Sequence, residues 1–400
     1  MESKIAICGA CASSAQSSYL EIKVNYLTGF RLLKFARRLL HRSWCGPIAV
    51  ASALFLMSQL IPALYAQDAP GNALLNPRAI VFNGTKKAAY AVDREHGAVY
   101  VIHAAPQAPH RIQVGAGPIS MAVNTRTNRV YVVNAGDGTV SVIDGETDAV
   151  VATTAVGSHP YSIAVNSVTG KAYISHSFSD QLTILDCASN AVTNLNAGSS
   201  DLIAVDSSTN VVYLLGYESS TLKVFDGAGQ SFSSIPIGMH QWGLALDEHS
   251  GTVLVGRTGA AEVAVLKKST SVPTMVPTGL IPCALAINAK MERAYVANFG
   301  GNSVTVIDTT KNRAIATAPA GNHPQAIAFD GPRNLILVAN AHDNIVTVID
   351  GSTYAILRKL PAGKHPYALA VDSDAGNLYV ADLAGDRPFT IADLNGIRNP

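Results

Sequence analysis

Fifteen residues, VYVVNAGDGTVSVID at 130–144, return almost unchanged as AYVANFGGNSVTVID at 294–308 and ILVANAHDNIVTVID at 336–350. Each copy is an alternating apolar run, a short turn of Gly, Asn or Asp, and a second alternating run closed by aspartate. Alternation is the mark of a half-buried strand, and two such runs across a short polar turn form a hairpin. A repeated hairpin cannot bury its faces alone, so the copies must stack on one another.

The period follows from an alanine inside an apolar run. It recurs as Ala122, Ala164, Ala204, Ala245, Ala286, Ala328 and Ala370, at spacings of 42, 40, 41, 41, 42 and 42 residues, and AIVFN (79–83) adds a unit upstream with Val81 in its place. Each unit reads as four strands: an opening xxIAVN, a run like VYVVN, a run like TVSVID, and a closing strand such as VVATTAV (150–156). Four strands of about five or six residues, joined by short turns, fill a repeat of this length. That is one blade of a β-propeller, and closure of the blades around an axis removes the open sheet ends. The alanine suits the innermost strand, where converging blades leave little room.

The fold class is therefore all-β, a single propeller over residues 77–400 with eight blades preferred and seven as the alternative. The last third strand is RPFTIAD (387–393), after which only LNGIRNP remains, so the eighth blade lacks a closing strand. NALLN (72–76), in the linker 67–76, is the candidate that closes the ring from the amino-terminal side. Composition agrees: 48% of the 400 residues are hydrophobic and only 14% charged, which gives a large core and excludes a disordered chain.

Residues 1–66 read as a secretory signal with an extended leading region. Lys34, Arg37, Arg38, His41 and Arg42 precede the uncharged GPIAVASALFLMSQLIPALYA (46–66), with cleavage expected after Ala66. The alternative is an uncleaved anchor, and a membrane is a partner only in that case. The expected location is the periplasm, the cell surface or the medium. The leader holds seven of the 29 Lys/Arg and two of the 28 Asp/Glu, leaving 22 basic and 26 acidic groups, a net charge of −4. A mildly acidic body with no basic stripe argues against nucleic acid as a partner. CGAC (8–11) lies in the leader, and Cys187 and Cys283 are expected as buried, unpaired thiols.

The repeats AYVAN (294–298) with SVTVID (303–308), LVAN (337–340) with IVTVID (345–350), and the turns GSHP (157–160), GNHP (321–324) and GKHP (363–366) resemble the YVTN-type β-propeller repeat family of surface-layer and periplasmic proteins. Blades one, four and five depart from the pattern: RAIV lacks the Gly-x-His lead, GSSD (198–201) lacks both His and Pro, and GRTGAAEVAVL (256–266) lacks the terminal aspartate. The resemblance implies a fold and leaves function open. That fold is similar to the propellers of nitrous oxide reductase and cytochrome-type nitrite reductase, where histidines near the axis hold copper or haem.

Asp144, Asp186, Asp226, Asp308 and Asp350 end the third strand in five blades, where a carboxylate caps the following turn. Histidine is less regular. His159, His240, His323 and His365 lie in turns leading into a blade, and His96, His176 and His342 in connections between second and third strands. A propeller places both kinds of connection on one face, the second about 10 Å further out. Ligand-binding candidates are His159, His176, His240, Trp242, His323, His342 and His365; His159, His323 and His365 are the metal candidates. Asn134, Asn298, Asn340 and Asp382 are read as turn formers. No residue stands out as catalytic, and no cofactor is assigned.

The function expected is that of an exported binding or interaction protein of the cell envelope, monomeric, taking a protein or small-molecule ligand on the histidine-bearing face. The alternatives are a metal- or haem-linked redox propeller and a lactonase- or lyase-like propeller enzyme.

Overall fold

The structure, a computed structural model, describes residues 79–103, 107–268, 270–384 and 388–397. The expected signal and the candidate closing strand 72–76 lie outside these residues. The described strands form eight antiparallel meanders, seven of four strands and the last of three. The blades span 80–113, 118–155, 160–196, 202–236, 241–277, 282–319, 324–361 and 364–393. The innermost strand of every blade packs beside those of its two neighbours, including Ile80–Asn83 of blade one beside Lys364–Asp372 of blade eight. Eight blades close the ring.

Strand ends are built by one device used throughout. Asp144 ends the third strand of blade two, and its Oδ1 accepts the backbone N–H of Glu146 at 3.0 Å and of Thr147 at 3.0 Å. Asp186, Asp226, Asp308 and Asp350 do the same in their blades, so the aspartates are turn caps. The backbone N–H groups of Thr147 and Glu146 hold the carboxyl of Asp144 below the usual range, and the Thr310 hydroxyl, with the backbone N–H groups of Lys311 and Thr310, lowers that of Asp308 to about 2. Asn83 and Asn124 cap the preceding turn of their blades in the same way.

The alanine series has a structural reason beyond crowding at the axis. Ala122 lies directly across from Tyr131, Ala164 from Tyr173, Ala286 from Tyr295 and Ala370 from Tyr379. Directly opposed residues share one face of the sheet, so a small side chain makes room for a large one. Those four tyrosines are buried, and some of their kind reach the next blade: Tyr90 Oη donates to Asp148 Oδ1 at 3.1 Å and Tyr173 Oη to Asn210 Oδ1 at 2.9 Å.

Blades one and eight meet through Phe82 stacked on Tyr379 with ring centroids 5.9 Å apart, and through Lys87 Nζ 2.5 Å from Asp374 Oδ2. One apolar cluster runs from Val99 and Val101 through Met121 to Ala368 and Phe389, joining blades one, two and eight. Cys187 and Cys283 are buried and free.

Candidate functional site

The turns that lead into each blade are fixed by their neighbours before any ligand is considered. In the blade-seven turn, Gly321 N–H donates to Asn340 Oδ1 at 2.8 Å, Asn322 N–H to Asp343 Oδ2 at 2.7 Å, and His323 N–H to Asn302 Oδ1 at 3.0 Å. His323 itself has φ +52°, and His159, His240 and His365 share that left-handed backbone at +52°, +59° and +53°. Gly117 stands at the same place in blade two with φ +60°. Histidine is one of the few side chains enriched in this conformation, so the turn alone accounts for its recurrence. The glycine two residues earlier is set by sterics: a Cβ on Gly321 would stand 2.6 Å from Asp343 Oδ2 and 2.7 Å from Asn340 Cγ, and one on Gly363 would run into Asp382 Oδ2.

Asn134, Asn298, Asn340 and Asp382 do more than form turns. Asn134, Asn298 and Asn340 end their second strands and Asp382 lies near the end of Asn377–Ala384; all four are buried, and the carbonyls of Asn134 and Asn340 close the turns that follow. Asn298 Nδ2 donates to Thr305 Oγ1 at 2.9 Å and Asn340 Nδ2 to Thr347 Oγ1 at 2.9 Å, so each ties its strand to the third. His176 is the blade-three member of this set, not a loop residue. It ends Lys171–His176 and is fully buried, with Nε2 2.8 Å from Thr183 Oγ1 and Nδ1 2.8 Å from the Ser158 carbonyl oxygen. A carbonyl only accepts, so Nδ1 carries the proton, and burial pushes the pKa of His176 down. Both nitrogens are used, which leaves His176 no atom for a ligand.

The other histidines form an aromatic series along the face. His342, between the second and third strands of blade seven, lies edge-on to His323 with centroids 3.9 Å apart and to His365 at 6.2 Å; Phe299 of blade six stacks on His323 at 4.5 Å. The two kinds of connection, expected at different radii, therefore meet. Across the ring His159 packs edge-on to Phe178, and Tyr217 contacts both His240 and Trp242. His159, His342 and His365 are exposed, while His240, His323 and Trp242 are half-buried. The structure does not bring His159, His323 and His365 together as a metal centre. Among the described residues, the one group of three whose donor atoms lie within 4.8 Å of one another is His103, His110 and Asp148, away from this face.

A second feature of the face was not visible in the repeat. Where the innermost strand leaves its turn, the pairing shifts by a residue in six blades, between Pro118 and Ser120, Pro160 and Ser162, Gln241 and Leu244, Pro282 and Ala284, Pro324 and Ala326, and Pro366 and Ala368. The residues skipped by these bulges include Ile119, Tyr161, Trp242, Cys283, Gln325 and Tyr367, one near the start of each of six inner strands; Tyr161 and Trp242 are half-buried and the other four buried. A bulge re-aims the side chain it displaces and is over-represented next to active sites. The turns around them repeat while these residues do not.

Burial pushes the phenol of Tyr161 up to about 12, with Asp201 adding to the rise and Arg94 opposing it, and Tyr367 is raised by burial with Asp382 adding and Arg94 opposing. Cys283 is unreactive, its thiol pushed up to about 12 by burial and its Sγ 3.2 Å from the Pro324 carbonyl oxygen.

No family model and no curated protein matches this chain. Solved propellers do. It is similar in fold to a chain of Kuenenia stuttgartiensis hydrazine synthase, with a TM-score of 0.57 and 17% identity over 71% of this chain and 97% of that one. It is also similar to the dihydro-heme d1 dehydrogenase NirN in complex with DHE, with a TM-score of 0.58 and 16% identity over 71% of this chain and 66% of that one. At such identities the likeness is one of fold.

Proposed function

We propose that this chain is an exported β-propeller of the cell envelope, of the YVTN-repeat kind, that binds its ligand over the channel mouth on the histidine-bearing face. The observation that carries this reading is the bulge position. Six inner strands break their pairing at the same point, and there the side chains are Ile119, Tyr161, Trp242, Cys283, Gln325 and Tyr367 instead of one repeated type. Repeat scaffolds are uniform where they fold and differ where they recognise. Apolar and aromatic surface with a few polar groups is the usual lining of a small-molecule site.

A haem-type or other planar conjugated ligand is the second reading, and it rests on the series Phe299, His323, His342 and His365, in which the exposed imidazoles of His342 and His365 are suited to an iron or copper ion. The similar fold of NirN, described in complex with DHE, adds weight of analogy only.

Export is tested by expressing the full gene in a bacterium with a periplasm and sequencing the mature amino terminus. The expected product begins at Gln67 outside the cytoplasm; a cytoplasmic protein with an intact leader overturns export. For the second reading, hemin titrated into the purified chain is expected to give a saturable shift of its Soret band that His342→Ala abolishes. An unshifted band, or one equal in the variant, overturns the haem reading and leaves the first standing.

A further inference from the structure

The repeat is broken twice at one place on the face opposite the histidine turns. In blades two, three, four, six and seven the third strand ends in a capping aspartate, but blade one ends Ala98–His103 in histidine. Four residues beyond the strand end, where blades three, four, six and seven carry Asn190, Gln230, Asn312 and Tyr354 in left-handed backbone, blade two carries Asp148 at φ +54°. These two departures face each other across the seam between blades one and two, and His110, which opens the outer strand of blade one, joins them.

We propose that His103, His110 and Asp148 form a site for a divalent transition-metal ion, zinc in the first instance, that links blade one to blade two. One donor atom from each residue lies within 4.8 Å of the others, and His110 Nε2 is 3.3 Å from Asp148 Oδ2. Zinc–nitrogen and zinc–oxygen bonds of about 2.0–2.1 Å in a tetrahedron set neighbouring donors about 3.3 Å apart. The imidazoles lie nearly parallel, 22° between planes and 6.1 Å between centroids. Two imidazoles and a carboxylate are a common ligand set for zinc, and a fourth position is left for water.

The second layer is already built. Tyr90, fully buried, donates its hydroxyl to Asp148 Oδ1 at 3.1 Å, which orients the carboxylate and leaves Oδ2 turned to His110. Lys86 is the competing cation, with Nζ 3.7 Å from Asp148 Oδ2; it is also held at 2.8 Å by the Glu146 carbonyl oxygen, an alternative partner once the ion occupies the site.

The test uses the full chain freed of metal by chelation, then titrated with zinc against a chromophoric competitor. One ion per chain is expected to bind with micromolar or tighter affinity and to raise the midpoint of thermal unfolding by several degrees at saturating zinc. His110→Ala, at an exposed position, and Asp148→Asn are each expected to weaken binding at least tenfold and remove the zinc-induced shift, while His249→Ala, at an exposed position outside every proposed site, leaves both intact. Cobalt in place of zinc is expected to give the visible absorption of a tetrahedral ion. Binding weaker than millimolar, binding unchanged in His110→Ala, or loss on His249→Ala would each overturn the assignment.

Discussion

Asp382 stands in blade eight where Asn298 and Asn340 stand in blades six and seven, and the one-atom difference has an electrostatic cost. It accepts a hydrogen bond from Thr390 Oγ1 at 2.6 Å, yet burial outweighs this bond and that from Gly363 N–H and raises its carboxyl to about 6. An unfolded aspartate titrates near 3.9. Between about pH 4 and pH 6 the unfolded chain therefore releases a proton that the folded chain keeps, and stability falls as pH rises through this window; above it the cost is complete and constant. Asp382→Asn is expected to stabilise the protein by about 1–3 kcal/mol at pH 7.5 and by little at pH 4, read as the urea midpoint at the two pH values. Equal effects at both would show that the carboxyl is not raised. Histidine carries a parallel lesson at this scale: its type and spacing in Gly-x-His-Pro were plain in the chain, but only φ near +52° at His159 and His323 shows that the turn itself selects it.

At the scale of the element, the propeller was legible because two periods coincide, an alternation of two inside strands and a spacing of about 41 between them. What the alternation hid was pairing. A bulge moves one residue out of register without changing composition, so Tyr161, Cys283 and Gln325 looked like ordinary strand residues until their partners were known. His176 was misplaced for a related reason: it reads as the start of a turn, but the ladder carries it to the strand end beside Asn298 and Asn340 in role. His103 leaves a signal in the chain, histidine where blades two, three, four, six and seven carry aspartate, but spacing alone does not bring it beside His110 and Asp148. The glycine before the turn is an element-scale constraint that can be measured. Its Cβ would meet Asn340, so Gly321→Ala is expected to cost roughly 1–3 kcal/mol by overpacking. Asn340→Ala is expected to cost about 1–3 kcal/mol through its lost hydrogen bonds. In the double variant the alanine methyl gains room, so the sum is expected to exceed the measured loss; strict additivity in urea unfolding would show that Gly321 and Asn340 are not in contact.

For the whole molecule, eight blades meet as a ring in which blade eight packs on blade one through Phe82, Tyr379, Lys87 and Asp374. On the ring's histidine-bearing face the bulge residues vary against a constant scaffold. That this face is a binding surface is the proposal to be tested. The most direct measurement is native mass spectrometry of the full gene's product, isolated from the periplasm or medium without denaturation, beside a Tyr161→Ala/Trp242→Ala version. The account predicts a non-covalent adduct of defined mass on the parent protein that is absent from the folded variant; an adduct held equally by both, or a bare parent chain, would contradict it.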